Sequence, residues 1–254
     1  EATLAAADQN IQIGKLKIHP QCAFPLRYQC LKEKLSLDFK PIDCPKLTEY
    51  VSSFGSQSVT LVFSTAYPNN PGSMFGHTFL KFNSENKSVL LDQAISYAAN
   101  ISDDGGLLYM VRGVFGGYKG AFAKTPYYTK VNEYINSESR DLWEYELNLT
   151  SKEIQNLILH FWELETNSSF DYYFFDENCS FILLAALEAV KPEWTLSKGW
   201  SYVVPGETVK ALQRFPNAVK KATFRPSLRK RFFQNYDGLT GGEQASVQKI
   251  SEFD

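Results

Sequence analysis

The sequence has 254 residues, 26 Lys and Arg against 28 Asp and Glu, and a formal net charge of −2. That length allows one large domain or two small ones, and 44% hydrophobic residues supply a sizeable core, which excludes a disordered chain. No apolar run approaches the ~20 residues of a membrane span, and His19, His77 and His160 stand at unrelated spacings, which excludes the usual histidine-rich zinc sites.

The chain begins at Glu1 rather than methionine, so a signal peptide or anchor is expected to have been removed. Residues 1–50 read as an irregular or helical arm, with KLKIHPQCAFPLRYQC wrapped on a core of residues 51–200. A basic extension over 201–254 is expected to belong to the same domain. Cys22, Cys30 and Cys44 cluster in the arm, and the absence of CxxC spacing argues against a zinc ribbon. Two of the three suffice for a disulfide, which implies an oxidising compartment, but their separations do not decide which two pair.

Beyond the arm, SVTLVFSTAY alternates apolar with small polar residues and reads as a strand. After the turn-rich PNNPGSMFG, the stretches GHTFLKF and SVLLDQAISYAA form a hairpin across NSENK. RGVFGGYKGAF reads as a glycine-aromatic loop, without the spacing or terminal Lys-Ser/Thr of a phosphate-binding fingerprint. LWEYELNL is another strand. Thr150 and Glu153 make a capping box for the helix containing IQNLILHFWELE. NSSFDYYFFDENCS is a loop or short strand. CSFILLAALEAV, apolar on nearly every side, is a buried helix that ends before Pro192. Strands first and helices afterwards indicate an α+β fold.

Charge is unevenly spread. Residues 132–188 hold 12 acidic and 2 basic side chains, and residues 191–231 hold 10 basic and 2 acidic. Either the two blocks attract each other as solvated faces, or the basic block meets an anionic membrane surface. The near-neutral total lacks the basic footprint of a nucleic-acid binder.

Cys179 is the best candidate for chemistry. It opens the buried helix, where unpaired N–H groups and the macrodipole favour a thiolate and offer donors to an oxyanion. Asn178 and Asp176 are candidate caps, and Asn178 and Ser180 flank the nucleophile. The plain alternative is an inert core cysteine. A nucleophilic thiol needs a base, and His77 suits, lying at a sheet edge directly after a glycine. His160 sits mid-helix among apolar residues and His19 belongs to the arm. Pairing Asn83 with Ser88 sets His77 opposite Ala94, with Asp92 and Ser96 on its face as third members. A one-residue slip brings up Gln93 and Tyr97 instead. Tyr172, Tyr173, Phe174 and Phe175 are either core packing or the lining of an acyl pocket. Phe115, Tyr118 and Phe122 are either a packed loop or a lid that dips into a membrane interface.

The stretches NNPGSMFGHTFLKF, QAISYAAN, FGGYKGAFAKTPYYTKVNEYINSESRDLWEYELNLT and FDYYFFDENCSFILLAALE, in that order, resemble the Lnb N-terminal periplasmic domain family. CAFPLRY, DCPKL and RPSLRKR extend the likeness to about residues 20–235. The family's histidine motif matches at Gly76-His77-Thr78 and its cysteine motif at Glu177-Asn178-Cys179-Ser180. The resemblance implies a bacterial envelope protein of a family that includes lipoprotein N-acylating enzymes. The His-before-Cys order is also similar to a circularly permuted papain-type fold, as in NlpC-like hydrolases and lecithin retinol acyltransferase. That arrangement implies a cysteine heading a central helix packed on an antiparallel sheet that carries the histidine. The resemblance further implies a Cys22–Cys44 disulfide and leaves Cys30 without a role.

The resulting expectation is a monomeric, periplasmic, membrane-associated thiol acyltransferase needing no cofactor or metal. Its partners would be phospholipid and lipoproteins, and an acyl chain would pass through a Cys179 thioester to a lipoprotein's N-terminal amine. The competing expectations are hydrolysis by the same dyad, as an amidase, peptidase or lipase, and a lipid- or lipoprotein-binding module without turnover.

Overall fold

The structure, a computed structural model, describes residues 11–13, 16–36, 40–68, 74–85, 88–100, 106–173, 178–197 and 204–251. A small hairpin of β1 (Ile11–Ile13) and β2 (Leu16–Ile18) leads into α1 (Pro20–Ala23), α2 (Pro25–Leu35) and α3 (Pro45–Ser52). Each of these helices starts on proline, whose missing N–H would be unpaired in a first turn anyway. Then follow β3 (Ser56–Ser64), β4 (His77–Ser84), β5 (Gln93–Asn100), α4 (Gly106–Phe115), β6 (Tyr118–Pro126) and α5 (Tyr127–Val131). The second half comprises β7 (Leu142–Leu147), α6 (Ser151–Asn167), β8 (Phe170–Tyr172), α7 (Cys179–Val190), α8 (Pro205–Gln213), β9 (Val219–Arg225), α9 (Leu228–Asp237) and α10 (Gly241–Ser251).

Seven strands form one sheet in the order β8-β6-β5-β4-β3-β7-β9, and every neighbouring pair is antiparallel. The architecture is therefore α+β, as the order of strand-like and helix-like segments indicates. Its connections place the start of β4, the end of β5, the starts of β6 and β7 and the end of β9 at one end of the sheet.

One face of the sheet is covered over its central strands. Leu61, Leu80, Phe82 and Ile95 pack there against Leu157 and Phe161 of α6 and Leu183 and Leu187 of α7. The capping box that starts α6 is complete: the Glu153 N–H donates to Thr150 Oγ1 at 3.3 Å and the Thr150 N–H to Glu153 Oε2 at 2.6 Å. The other face is covered at the His77 end only, where α5 and a wide π turn (Asn132–Ser137) set Tyr127, Tyr134 and Ile135 on Val62, Phe79 and Leu142. Further along that face lies a polar group. Lys81 Nζ is 2.7 Å from Glu144 Oε2, while Tyr127 Oη and Arg225 Nε donate to Glu144 Oε1 at 2.8 and 2.9 Å.

Three sequence expectations are corrected. Lys81, not His77, lies opposite Ala94, because Phe79 pairs with Ser96 and Phe82 with Gln93. The hairpin loop is longer than NSENK: Val89–Leu91 forms a 3₁₀ turn, and the Ser84 N–H donates to the Asp92 carboxylate at 2.9 Å. The glycine-aromatic segment is the junction of α4 with β6 rather than a loop. Gly120 lies in β6 under the Tyr97 ring, where a Cβ would meet the hydroxyl 1.7 Å away.

The arm is tied to α6. Trp162 Nε1 donates to the Cys22 carbonyl and Asn167 Nδ2 to the Ala23 carbonyl, each at 2.7 Å. The Leu26 and Arg27 N–H groups donate to Glu163 Oε1 at 2.8 and 3.0 Å, giving the first turn of α2 a carboxylate where the macrodipole favours one. Cys22 and Cys44 form a disulfide, the pair the family resemblance indicates, and Cys30 is a free, exposed thiol. Within the C-terminal region, β9 completes one edge of the main sheet.

Candidate active site

His77 is the first residue of β4, and the residue before it must be glycine. Gly76 has φ +95°, and a Cβ there would stand 2.6 Å from the Ser64 carbonyl oxygen and 2.7 Å from the Phe63 ring. The His77 ring packs beside both Phe79 and Tyr134, with centroids 6.4 and 6.1 Å away, and those two rings stack on each other at 5.9 Å. Directly across the β3–β4 ladder stands Ser64, fully buried, whose hydroxyl has no hydrogen-bond partner among the described residues. Beneath Tyr134 lies Arg140, also buried, its Cζ 4.7 Å from the ring centroid. Its Nε donates to the Thr65 carbonyl at 2.6 Å and its Nη1 pairs with Glu138 at 2.8 Å. The ring of His77 thus rests against a buried pair of aromatic neighbours.

Cys179 heads α7. Asn178 is the cap: its side-chain oxygen accepts from the Ser180 N–H at 2.9 Å and the Phe181 N–H at 3.3 Å. Alternation along β4 turns Thr78 away from His77 and toward α7. Thr78 Oγ1 lies 3.1 Å from Ser180 Oγ and 3.8 Å from Cys179 Sγ. The thiol is 2% exposed and hydrogen-bonded to His77 across the strand end. Burial alone would push its pKa up, but the His77 charge and hydrogen bonds from His77 and Thr78 outweigh it and bring the thiol down to about 6. A thiolate at neutral pH is the form that attacks carbonyl carbon.

Tyr172 completes the site. Its phenol, in the last residue of β8, accepts a hydrogen bond from the Cys179 backbone N–H and also bonds to the sulfur. Burial, and then the neighbouring Cys179 charge, hold that phenol well above its ordinary pKa, so it stays a proton donor.

The structure brings Cys179, His77, Asn178, Ser180 and Tyr172 together and separates others from them. Asp92 is at the far end of β5, engaged by Ser84, too distant along the strand to orient His77. Ser96 pairs with Phe79, one step diagonal from the histidine. The helix N–H groups expected to receive an oxyanion are mostly committed, since Asn178 takes those of Ser180 and Phe181. The Cys179 N–H is taken as well, by the Tyr172 phenol, which leaves the Tyr172 hydroxyl as the donor beside the sulfur. Tyr118 and Tyr172 pack with Tyr97 and Ile182 as core. Tyr173 covers Gly116, Phe115 is exposed, and Phe175, Phe174 and Asp176 lie outside the described residues. His19 caps α1, its Nδ1 accepting from the Gln21 N–H at 3.3 Å. Burial, aided by the Arg27 charge, lowers His160 to about 4, so it stays neutral on α6.

Sequence reasoning missed Ser64, Tyr134 and Arg140. The residue opposite His77 comes from β3, the preceding strand, and not from the hairpin partner that follows it. The signal available was the Ser64 that ends the alternating SVTLVFS run.

A family model described as the Lnb N-terminal periplasmic domain matches residues 46–214. No curated protein and no solved structure matches the chain. The matched region takes in both motifs, Gly76-His77-Thr78 and Asn178-Cys179-Ser180, and more than half of the sequence. The chain belongs to the Lnb N-terminal periplasmic domain family.

Proposed function

We propose that the protein is a thiol-dependent lipoprotein N-acyltransferase of the periplasm. The observation that carries this reading is the buried Cys179 thiol, brought down to about 6 beside His77 and hydrogen-bonded by Tyr172. The order of a strand-borne histidine before a helix-heading cysteine favours a circularly permuted papain-type (NlpC-like) arrangement, with Cys179 and His77 as its dyad.

In the first half-reaction the Cys179 proton moves to His77 and the thiolate attacks an ester carbonyl of a phospholipid or diacylglyceryl donor. The oxyanion takes the Tyr172 hydroxyl as its donor, that phenol being itself held by the Cys179 N–H. As the tetrahedral adduct collapses, the C–O bond breaks and His77 returns the proton to the departing lipid alkoxide. In the second half, the α-amine of a lipoprotein's N-terminal cysteine attacks the thioester, the C–S bond breaks, and the amine's extra proton passes to His77. Tyr134 and Arg140 are positioning residues for that imidazole.

Burial of the sulfur to 2% exposure favours transfer over hydrolysis, since a thioester kept from water survives until the amine arrives. Incubation with labelled phospholipid and an N-terminally lipidated cysteine peptide tests the reading. N-acyl peptide is the expected product. Free fatty acid alone would identify a hydrolase, and no turnover with retained lipid binding would identify a binding module.

A further inference from the structure

The end of the sheet that carries the dyad is also where the chain leaves apolar side chains in solvent. Met74 and Phe75, 44% and 40% exposed, immediately precede Gly76 and His77. On α4, Val111, Val114 and Phe115 are exposed at i, i+3 and i+4, which makes one stripe along that helix. Phe115, at 77%, is three residues before the start of β6. On the opposite flank, α9 leaves the end of β9 with its cap fixed by the Ser227 N–H on Asp141 Oδ1 at 2.8 Å. None of its side chains is buried, and Leu228, Phe232 and Phe233 are all about half exposed.

Isolated exposed apolar residues need no explanation, but three segments that each present several at the same end of one sheet do. From β6 to β9 is five strand spacings, about 24 Å at ~4.8 Å each, so the segments are spread across the end of the sheet that carries the site. Cations accompany them: Arg229 and Arg231 on α9 are exposed, while Lys230 between them pairs with Asp141 at 3.2 Å. A helix with aromatic and basic residues and nothing buried has the character of an interfacial helix.

We propose that this rim, formed by Met74–Phe75, α4 and the first turns of α9, docks on an anionic phospholipid layer. It thereby sets the Cys179 end of the sheet at the depth of the glycerol esters. The proposal rests on the acyl-transfer reading for its purpose, since a buried thiol must meet a lipid ester. It moves the membrane face from the basic block as a whole to one end of the sheet. Lys191 and Arg225 of that block are ion-paired to Glu153 and Glu144 within the fold.

Flotation with vesicles of phosphatidylglycerol and phosphatidylcholine tests it. The wild-type chain is expected to float with phosphatidylglycerol vesicles and to lose binding as salt rises. Val114→Ser with Phe115→Ser, Phe232→Ser with Phe233→Ser, and Arg229→Glu with Arg231→Glu should each lower partitioning by on the order of tenfold or more. Leu90→Ser with Leu91→Ser, in the exposed turn at the opposite end of the sheet, should float like wild type. Equal flotation of the rim variants and wild type, or loss in the Leu90/Leu91 variant instead, would overturn the proposal. So would lipid-free self-association abolished by the Phe115 substitution, which would assign the rim to a second copy. Flotation reads no chemistry. Protein that floats but transfers no acyl chain refutes the acyl-transfer reading alone, and protein that acylates from a detergent-dispersed donor yet never floats refutes the docking alone.

Discussion

Cys179 illustrates how opposed effects settle the state of one group. Complete burial would keep the thiol protonated, and His77 with Thr78 reverses that, to about 6. The groups facing the sulfur are His77, Thr78, Ser180 and Tyr172, so their removal should be felt in its titration. Alkylation of the Cys179 peptide, followed by mass spectrometry to separate it from Cys30, is expected to accelerate as pH rises through about 6 and then level off. His77→Ala should move that inflection upward toward the ordinary thiol value, and an unchanged inflection would contradict the ion pair. Tyr172→Phe removes a donor without removing the ring. It should lower kcat for acyl transfer by ~10²-fold with little change in KM or melting temperature. The proximity of His77 to Cys179 was legible in the sequence because three histidines left one plausible base for one helix-heading thiol. Tyr172's hydrogen bond, Ser64 opposite His77 and Arg140 beneath Tyr134 were not, because each depends on which distant strand end or helix terminus the fold brings alongside.

At the scale of elements, the sheet is pinned by the Lys81–Glu144–Arg225 group, which ties β4, β7 and β9 on the face away from α6 and α7. Burial would raise the Glu144 pKa, but Lys81 above all, with Arg225 and Tyr127, lowers it below the ordinary carboxylate value. Its stabilising contribution is therefore present above that ordinary value and is lost as pH falls through the lowered one. Glu144→Gln strands Lys81 and should cost about 3–5 kcal/mol in urea denaturation at neutral pH. The same substitution should flatten the acid limb of the stability profile, and an equally steep limb would exclude Glu144 as its source. Strand and helix identities were readable from alternation and from the Thr150–Glu153 box. The β4–β5 register was not, because Val89–Leu91 coils into a turn and Asp92 replaces a ladder partner for Ser84 with its side chain. A hydrophobic pattern fixes which face a residue takes, and a turn of unforeseen length decides how far along the strand it lies.

For the molecule as a whole, the near-zero net charge is a cancellation that the fold partly uses internally. Lys191 pairs with Glu153 at 2.7 Å, Arg225 with Glu144 at 2.9 Å and Lys230 with Asp141 at 3.2 Å, each joining the basic block to the acidic one. The Cys22–Cys44 bridge fits the oxidising periplasm and closes a loop of sequence separation 22, so Cys44→Ser should lower stability by about 3 kcal/mol. Thermal unfolding with and without reductant checks this, and reductant should have no further effect on the variant. Among the described residues no helix is long and apolar enough to cross a membrane. The central claim is that Cys179 carries an acyl group, and intact-protein mass spectrometry after exposure to donor phospholipid vesicles tests it most directly. The account predicts a gain of one acyl chain, lost on hydroxylamine treatment and absent from Cys179→Ala. A wild-type protein that never gains the chain, or a Cys179→Ala variant that gains it equally, would contradict the account.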